Sequence, residues 1–206
     1  MRGCDKFCTF CIVPFTRGRE RSRNTLSILE EAKEAVKQGY KEITLLGQNV
    51  NSYHYEDYQF HNLLEAVAGV PGIQRIRYTS PHPQDITEEL LSTMSKHKNI
   101  CNYIHLPLQA GSDKILKRMN RTYTKSHFLS LVQRIRDILP DVGISTDIIV
   151  GFPGETDEDF GQTIEIMNEV KFDSAFNFKY SSRRGTKASE YEDKVQEAIK
   201  QQRLEQ

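Results

Sequence analysis

Cys4, Cys8 and Cys11 fall within eight residues, spaced C-x-x-x-C-x-x-C. Three thiolates on one short loop can converge on a single centre, and such soft ligands suit zinc or an iron–sulfur cluster. Both usually take four ligands, and only three are local here. A cluster held by three cysteines keeps one iron open to a small molecule. A zinc site would instead need a distant fourth ligand, such as His54 or His61. A disulfide does not fit, because three is an odd number and the chain reads as having no secretory segment. The fourth cysteine, Cys101, stands alone and reads as a buried apolar residue. Arg17, Arg19, Arg21 and Arg23 alternate with other residues just beyond the cysteines. Away from a site they are a solvated basic loop; beside one they bind phosphate or carboxylate.

The elements that must hold this loop read as alternating strands and helices. Pro14 and Gly18 predict no regular element over 12–23. A helix is expected over 25–38, capped by Ser27 with Glu30 or by Thr25, and stopped at Gly39. Strand 42–46 follows, then a polar, aromatic surface loop over 53–61 and a helix over 60–68. Strand 75–79, helix 86–96, strand 103–108 and helix 112–119 come next. The clearest amphipathic helix covers 124–139, with Phe128, Leu131, Val132, Ile135, Ile138 and Leu139 on one stripe. Strand 144–150 leads to helix 157–170, with Thr156 and Asp159 as its capping box. Strand 175–180 and a charged helix over 193–205 close the chain.

Five strands, each followed by a helix, build a parallel sheet with right-handed crossovers. A strand cut short before Cys4 would make six, so the chain reads as a fragment. Chemistry in such folds sits at the C-terminal strand ends. Those ends are the cysteine loop, 47–49, 80–82, 109–112, 151–155 and 180–184, and each is small, polar or charged.

The 206 residues suffice for one domain with a substantial core, and 37% hydrophobic against 27% charged residues marks a soluble globular chain. No apolar run approaches a membrane span, so no membrane partner is expected and a reducing cytoplasm is the expected setting. Net charge is zero, but residues 1–23 carry six basic and two acidic groups, whereas 147–173 carry eight acidic groups and one lysine. The basic segment lies beside the cysteines and can take an anionic partner.

Cys4, Cys8 and Cys11, with Phe10 just before the last, resemble the radical S-adenosylmethionine (SAM) enzymes. The longer run GCDKFCTFCIVPFTRGRERSR over 3–23 resembles the methylthiotransferases within them, in particular the branch acting on isopentenyladenosine in tRNA. LGQNVNSY over 46–53 and TSPHP over 79–83 match that branch too, and the resemblance extends to about residue 204.

This resemblance implies a partial (β/α)6 barrel with its first strand truncated. It implies a core domain over 1–190, with 191–206 a helix or linker toward an RNA-binding domain, and an absent N-terminal methylthiotransferase domain. Cys4, Cys8 and Cys11 would hold one 4Fe–4S cluster whose open iron binds SAM. Phe10 would lie near the adenine and Gln48 and Asn49 near the methionine moiety. Gln109 and Ser112 would face the ribose or carboxylate, Arg121 would pair with the carboxylate, and Gly151 would let the adenine approach the backbone. Asp147 is either part of this site or a structural carboxylate. Arg17, Arg19, Arg21 and Arg23 would bind substrate, and no catalytic residue is implied beyond the cluster ligands.

The implied reaction reduces SAM to a radical that takes hydrogen from carbon 2 of the adenine, where a methylthio group enters. Its partners are a tRNA anticodon stem-loop and an electron donor, with the enzyme a monomer. A second 4Fe–4S cluster, in the full-length protein only, would supply the sulfur, so this chain would cleave SAM without completing the reaction. Two alternatives stand. One is the same chemistry on threonylcarbamoyl-adenosine or a ribosomal-protein aspartate. The other is a non-catalytic zinc module binding nucleic acid.

Overall fold

A computed structural model describes all 206 residues. Five parallel strands carry the fold: β1 (Glu42–Leu45), β4 (Arg75–Tyr78), β5 (Tyr103–His105), β6 (Gly143–Val150) and β7 (Ser174–Lys179). β1 pairs with β4, and β5, β6 and β7 pair in that order, all parallel. A bridge from Ile76 to Ile100 joins the two groups into one run, with the Cys101 N–H donating to the Ile76 carbonyl at 2.9 Å. The helices are α1 (Val13–Arg17), α2 (Thr25–Lys37), α3 (Phe60–Ala68), α4 (Glu88–Lys96), α5 (Asp113–Arg118), α6 (Lys125–Ile138), α7 (Asp157–Val170) and α8 (Glu197–Glu205). None is long and apolar enough to cross a membrane.

Side-chain alternation sorts the sheet into two faces. Leu45, Ile76, Tyr78, Ile104, Ile144, Ile148 and Val150 are buried on one of them, in the same core as Leu64, Leu91, Phe128, Ile135 and Ile166 of the helices. Glu42, Arg75, Arg77, Tyr103, Phe176 and Phe178 lie exposed on the other. Helices therefore cover one side of the sheet and leave the concave side open, as in part of a (β/α)6 barrel.

Several local expectations hold. In α6, Phe128, Leu131, Val132 and Ile135 are buried. Thr156 and Asp159 cap α7 reciprocally. Others change. Residues 13–17 are helical after all: Pro14 occupies the first turn, where its missing N–H is not needed, and Gly18 ends the helix at φ 76°. Asn24, not Ser27 or Thr25, caps α2, accepting the Ser27 N–H at 3.1 Å. The expected loop at 53–61 contains a small hairpin, β2 (His54–Tyr55) and β3 (Tyr58–Gln59), between the buried Tyr53 and Phe60. β5 stops at His105: Pro107 has no N–H for the ladder, the Leu108 N–H donates to Thr146 Oγ1 at 3.0 Å, and Gln109 (φ 72°) rejoins β6 only through a bridge to Ile148. No sixth strand forms at the N-terminus. The Met1 amino group donates to the Leu46 carbonyl at 3.0 Å, and Arg2 makes one antiparallel bridge to Arg21.

Candidate iron–sulfur and SAM site

The cysteine loop sits at the C-terminal end of the strands and is pinned by the segments that leave them. After β1, the Gln48 side chain accepts the Gly3 N–H at 2.7 Å. After β4, Asp85 pairs with Lys6 at 2.8 Å. After α5, Asn120 takes the left-handed conformation (φ 59°), which a short amide side chain tolerates. Its Nδ2 donates to the carbonyls of Lys6 and Phe7 at 3.1 and 3.0 Å. Thr9 is anchored to the same turn through the carbonyls of Arg118 and Met119. Gly3 (φ 84°) lies so close to the Arg19 carbonyl that a Cβ would sit 2.1 Å from its oxygen, so no other residue fits there.

The three thiols are half-buried and reduced, and each pair of them interacts electrostatically. Burial pushes the Cys4 and Cys11 thiols up, so a metal centre must displace their protons as it binds. No three His, Cys, Asp or Glu side chains close tightly enough to hold a single ion, and neither His54 nor His61 joins the cysteines. Three soft thiolates on one loop are the donor set of a cluster that keeps one iron open. A hollow of about 230 Å³ opens onto Cys8 and Cys11.

Buried polar atoms of Arg121, Asn49 and Gln109 are left without partners. Arg121 places Nη1 3.5 Å from Cys8 Sγ and its guanidinium over the Phe10 and Tyr123 rings, at 5.8 and 5.7 Å. Burial opposes its charge, but Tyr123 and the three thiols outweigh that and push its pKa up, so it stays cationic. Its Nε has no partner. Asn49 is 1% exposed, donates from Nδ2 to Asp85 at 2.8 Å, and leaves Oδ1 without a partner. Gln109 is buried with Oε1 likewise unpartnered. A buried polar atom without a partner is costly. The open Arg121 donor beside Cys8, with the open Asn49 and Gln109 oxygens after β1 and β5, fits a zwitterionic ligand such as the aminoacyl end of SAM.

The remaining sequence-predicted residues divide. Gln48 is exposed and its oxygen is taken by the loop itself. Ser112 turns away from the thiols: its hydroxyl donates to Asp159 at 2.6 Å, tying the start of α5 to α7. The Gly151 face that a side chain would occupy is covered by Lys200 of α8, and its N–H donates to Glu155 at 2.6 Å. Among the arginines, Arg19 is paired with Asp5 at 2.7 Å and Arg23 with Ser27 and Glu31. Arg17 and Arg21 are exposed and make no ion pair. Asp147 is only partly buried and lies 3.1 Å from His105 Nε2. Sequence reasoning missed Asp85 and Asn120, which organise the loop, and Glu20, whose Oε1 accepts the Asp5 N–H at 3.2 Å. Asp85 and Asn120 had one available signal, a polar residue shortly after a strand or helix end.

Cys101 sits where β5 begins, the opposite end of the sheet from the loop, and takes no part in the site.

The chain matches the Radical SAM superfamily over residues 1–167. It is 53% identical over 206 residues to the tRNA-2-methylthio-N(6)-dimethylallyladenosine synthase of Thermoanaerobacter sp. (strain X514), covering 98% of this chain and 44% of that protein. The namesake from Clostridium tetani is 52% identical over 207 residues, covering 99% and 46%. The chain thus spans about half the length of these curated relatives. Among solved structures, the radical SAM methyltransferase TsrM from Kitasatospora setae superposes with a TM-score of 0.74 at 17% identity, covering 91% of this chain and 37% of that one. Coproporphyrinogen III oxidase (HemN) from Escherichia coli gives 0.68 at 16% identity, covering 100% and 49%. With three thiols at the strand ends, buried polar atoms left open and a family match over most of its length, the chain belongs to the radical SAM superfamily.

Proposed function

We propose that this chain is the radical-generating core of a cytoplasmic tRNA methylthiotransferase, acting at carbon 2 of an isopentenylated adenosine beside the anticodon. The observation that carries this reading is identity of about one half, along essentially the whole chain, to relatives named for that modification. Cys4, Cys8 and Cys11 would hold the 4Fe–4S cluster, and Arg121, Asn49 and Gln109 would hold SAM. When bound, the two supply one-electron chemistry able to remove hydrogen from an unactivated carbon. Arg121 would orient the ligand carboxylate through its open Nε–H, a charge-assisted hydrogen bond. Phe10 and Tyr123 flank that guanidinium and exclude water from it. Arg17 and Arg21, free of carboxylates, are placed to meet tRNA phosphates, while Arg19 and Arg23 must first release Asp5 and Glu31. The inserted sulfur is assigned to a second cluster in the part of the longer protein outside these residues.

The test is anaerobic reconstitution, followed by dithionite and SAM with 5′-deoxyadenosine as the readout. The expected result is about four irons and four sulfides per chain, with 5′-deoxyadenosine formed and both lost in Cys8→Ala. A colourless chain carrying stoichiometric zinc and unable to cleave SAM would overturn the reading. In a protein of the relatives' full length, the expected product is methylthiolated tRNA from isopentenylated tRNA only.

A further inference from the structure

The open face of the sheet carries an arrangement the cysteine site does not use. On β7, Phe176 and Phe178 are 52% and 53% exposed in mid-strand, where aromatic side chains are normally covered. Register places Phe176 beside Asp147 and Phe178 beside Ile149 of β6. Beneath them lies a hydrogen-bonded floor. His105 Nδ1 meets Ser145 Oγ at 2.8 Å, its Nε2 meets Asp147 Oδ2 at 3.1 Å, and Tyr103 bonds to Ser145. The His105 ring packs edge-on against Phe176 at 6.0 Å. Asp147 thus has one oxygen held by His105, while its side chain remains 28% exposed toward the open face.

The strands that carry this face end at the cysteine loop. Tyr180 follows Phe178 on the same side of the chain and packs on Phe152 at 5.2 Å, and Phe152 packs on Phe10 of the cysteine loop at 6.4 Å. Buried aromatic contacts therefore run from the end of β7 to the cluster loop.

We infer that Asp147, Phe176 and Phe178 form the seat for an N6-prenylated adenine, a reading that rests on the proposed function. A prenylated adenine offers at one nitrogen a single N–H donor and an apolar branched tail. The structure sets a half-buried carboxylate and an exposed phenyl ring side by side on neighbouring strands, Asp147 to accept the N–H and Phe176 to cover the tail. Phe178 and Ile149 lie one step nearer the strand ends and flank the ring. Carbon 2 is two ring bonds beyond the carbon that carries the nitrogen, so a ring lying along the strands from Asp147 toward their C-termini has carbon 2 on the cysteine-loop side. The face as a whole is not an anion site: Arg75 and Arg77 are balanced by Glu42, which binds both, and by Asp147. Its recognition is for the base and its tail, with phosphates left to other surfaces.

The test is a titration of this chain, labelled at isoleucine methyl groups, with isopentenyladenosine and with adenosine. Isopentenyladenosine should shift the Ile149 methyl saturably, at concentrations at least tenfold below those adenosine requires. Phe176→Ser, at an exposed position, should erase that difference, while Leu26→Ser on the outer helix should leave both affinities unchanged. Equal affinities, no response at Ile149, or a preference intact in Phe176→Ser each overturns the seat. A prenyl-selective response in a chain that cleaves no SAM would keep the seat and sink the enzyme reading instead, so the two fail separately.

Discussion

At the scale of the residue, Arg121 and His82 set the electrostatics beside the cysteines. Arg121 is held by Cys8, Phe10 and Tyr123 with one donor left open. If it binds the SAM carboxylate, Arg121→Leu should raise the Kd for SAM ten- to a hundredfold, about 1.5–3 kcal/mol for a hydrogen bond to a charged group. Equilibrium dialysis on the reconstituted chain measures this, with iron content unchanged; an unaltered Kd would remove Arg121 from the ligand site. His82 is held down to about 3, first by burial and then by the charges of Arg121 and Lys6. It is neutral in the folded chain, and Nδ1 accepts the Gln84 N–H at 3.3 Å. The folded value lies below the ordinary 6.5, so between the two the unfolded chain binds more protons. The stability is complete above pH 6.5 and lost as pH falls toward 3. From pH 6.5 to 5 the loss is about 1.6 kcal/mol, half of the unfolded imidazole being protonated already at 6.5. Urea unfolding at the two pH values should show it, and His82→Asn should flatten the dependence.

At the scale of the element, the site depends on loops that reach across to helices. Gly111 is the sharpest instance. Its N–H donates to Thr163 Oγ1 at 2.9 Å, and a Cβ there would lie 2.4 Å from the Gln162 carbonyl oxygen and 2.5 Å from Thr163 Cα. These are backbone atoms of α7 and cannot swing aside. Gly111→Ala should therefore cost about 1–3 kcal/mol by overpacking, read as a lower denaturation midpoint with an unchanged slope. A neutral result would mean that α7 shifts freely against the β5 loop. Helix periodicity in α6 and the capping box of α7 were readable locally, because each depends on residues three or four apart. The α1 helix and the β2–β3 hairpin were not: Pro14 and Gly18 are breakers in mid-helix but terminators at its ends, and only packing decides which.

At the scale of the whole molecule, α8 is bound into the fold by charge. Arg203 and Glu155 are nearly inaccessible and 2.7 Å apart, and Arg203 also reaches Asp157 at 2.7 Å. Burial pushes the Glu155 carboxyl up, and the Gly151 N–H and Arg203 pull it back without fully restoring it. The pair is therefore costly to split and specifies where α8 docks more than it adds net stability. Arg203→Ala should destabilise by about 3–5 kcal/mol by stranding a buried carboxylate, whereas Arg203→Met with Glu155→Leu should recover most of that. Chemical denaturation of the two variants decides it; equal losses would show that packing by α8, not charge pairing, governs.

By itself the sequence determined the cysteine loop, the strand–helix alternation and the family. Those signals are local: three thiols in eight residues, periods of two and 3.6, polar residues where strands end. Tertiary structure alone decided which polar residues face the thiols. Ser112 and Asn49 both follow strands, yet Ser112 is turned to Asp159, which lies 47 residues away, while Asn49 keeps an oxygen open beside the loop. It also decided that Asp147 meets His105 and stands beside Phe176, since register between strands is set by how the chain returns and not by any stretch of it.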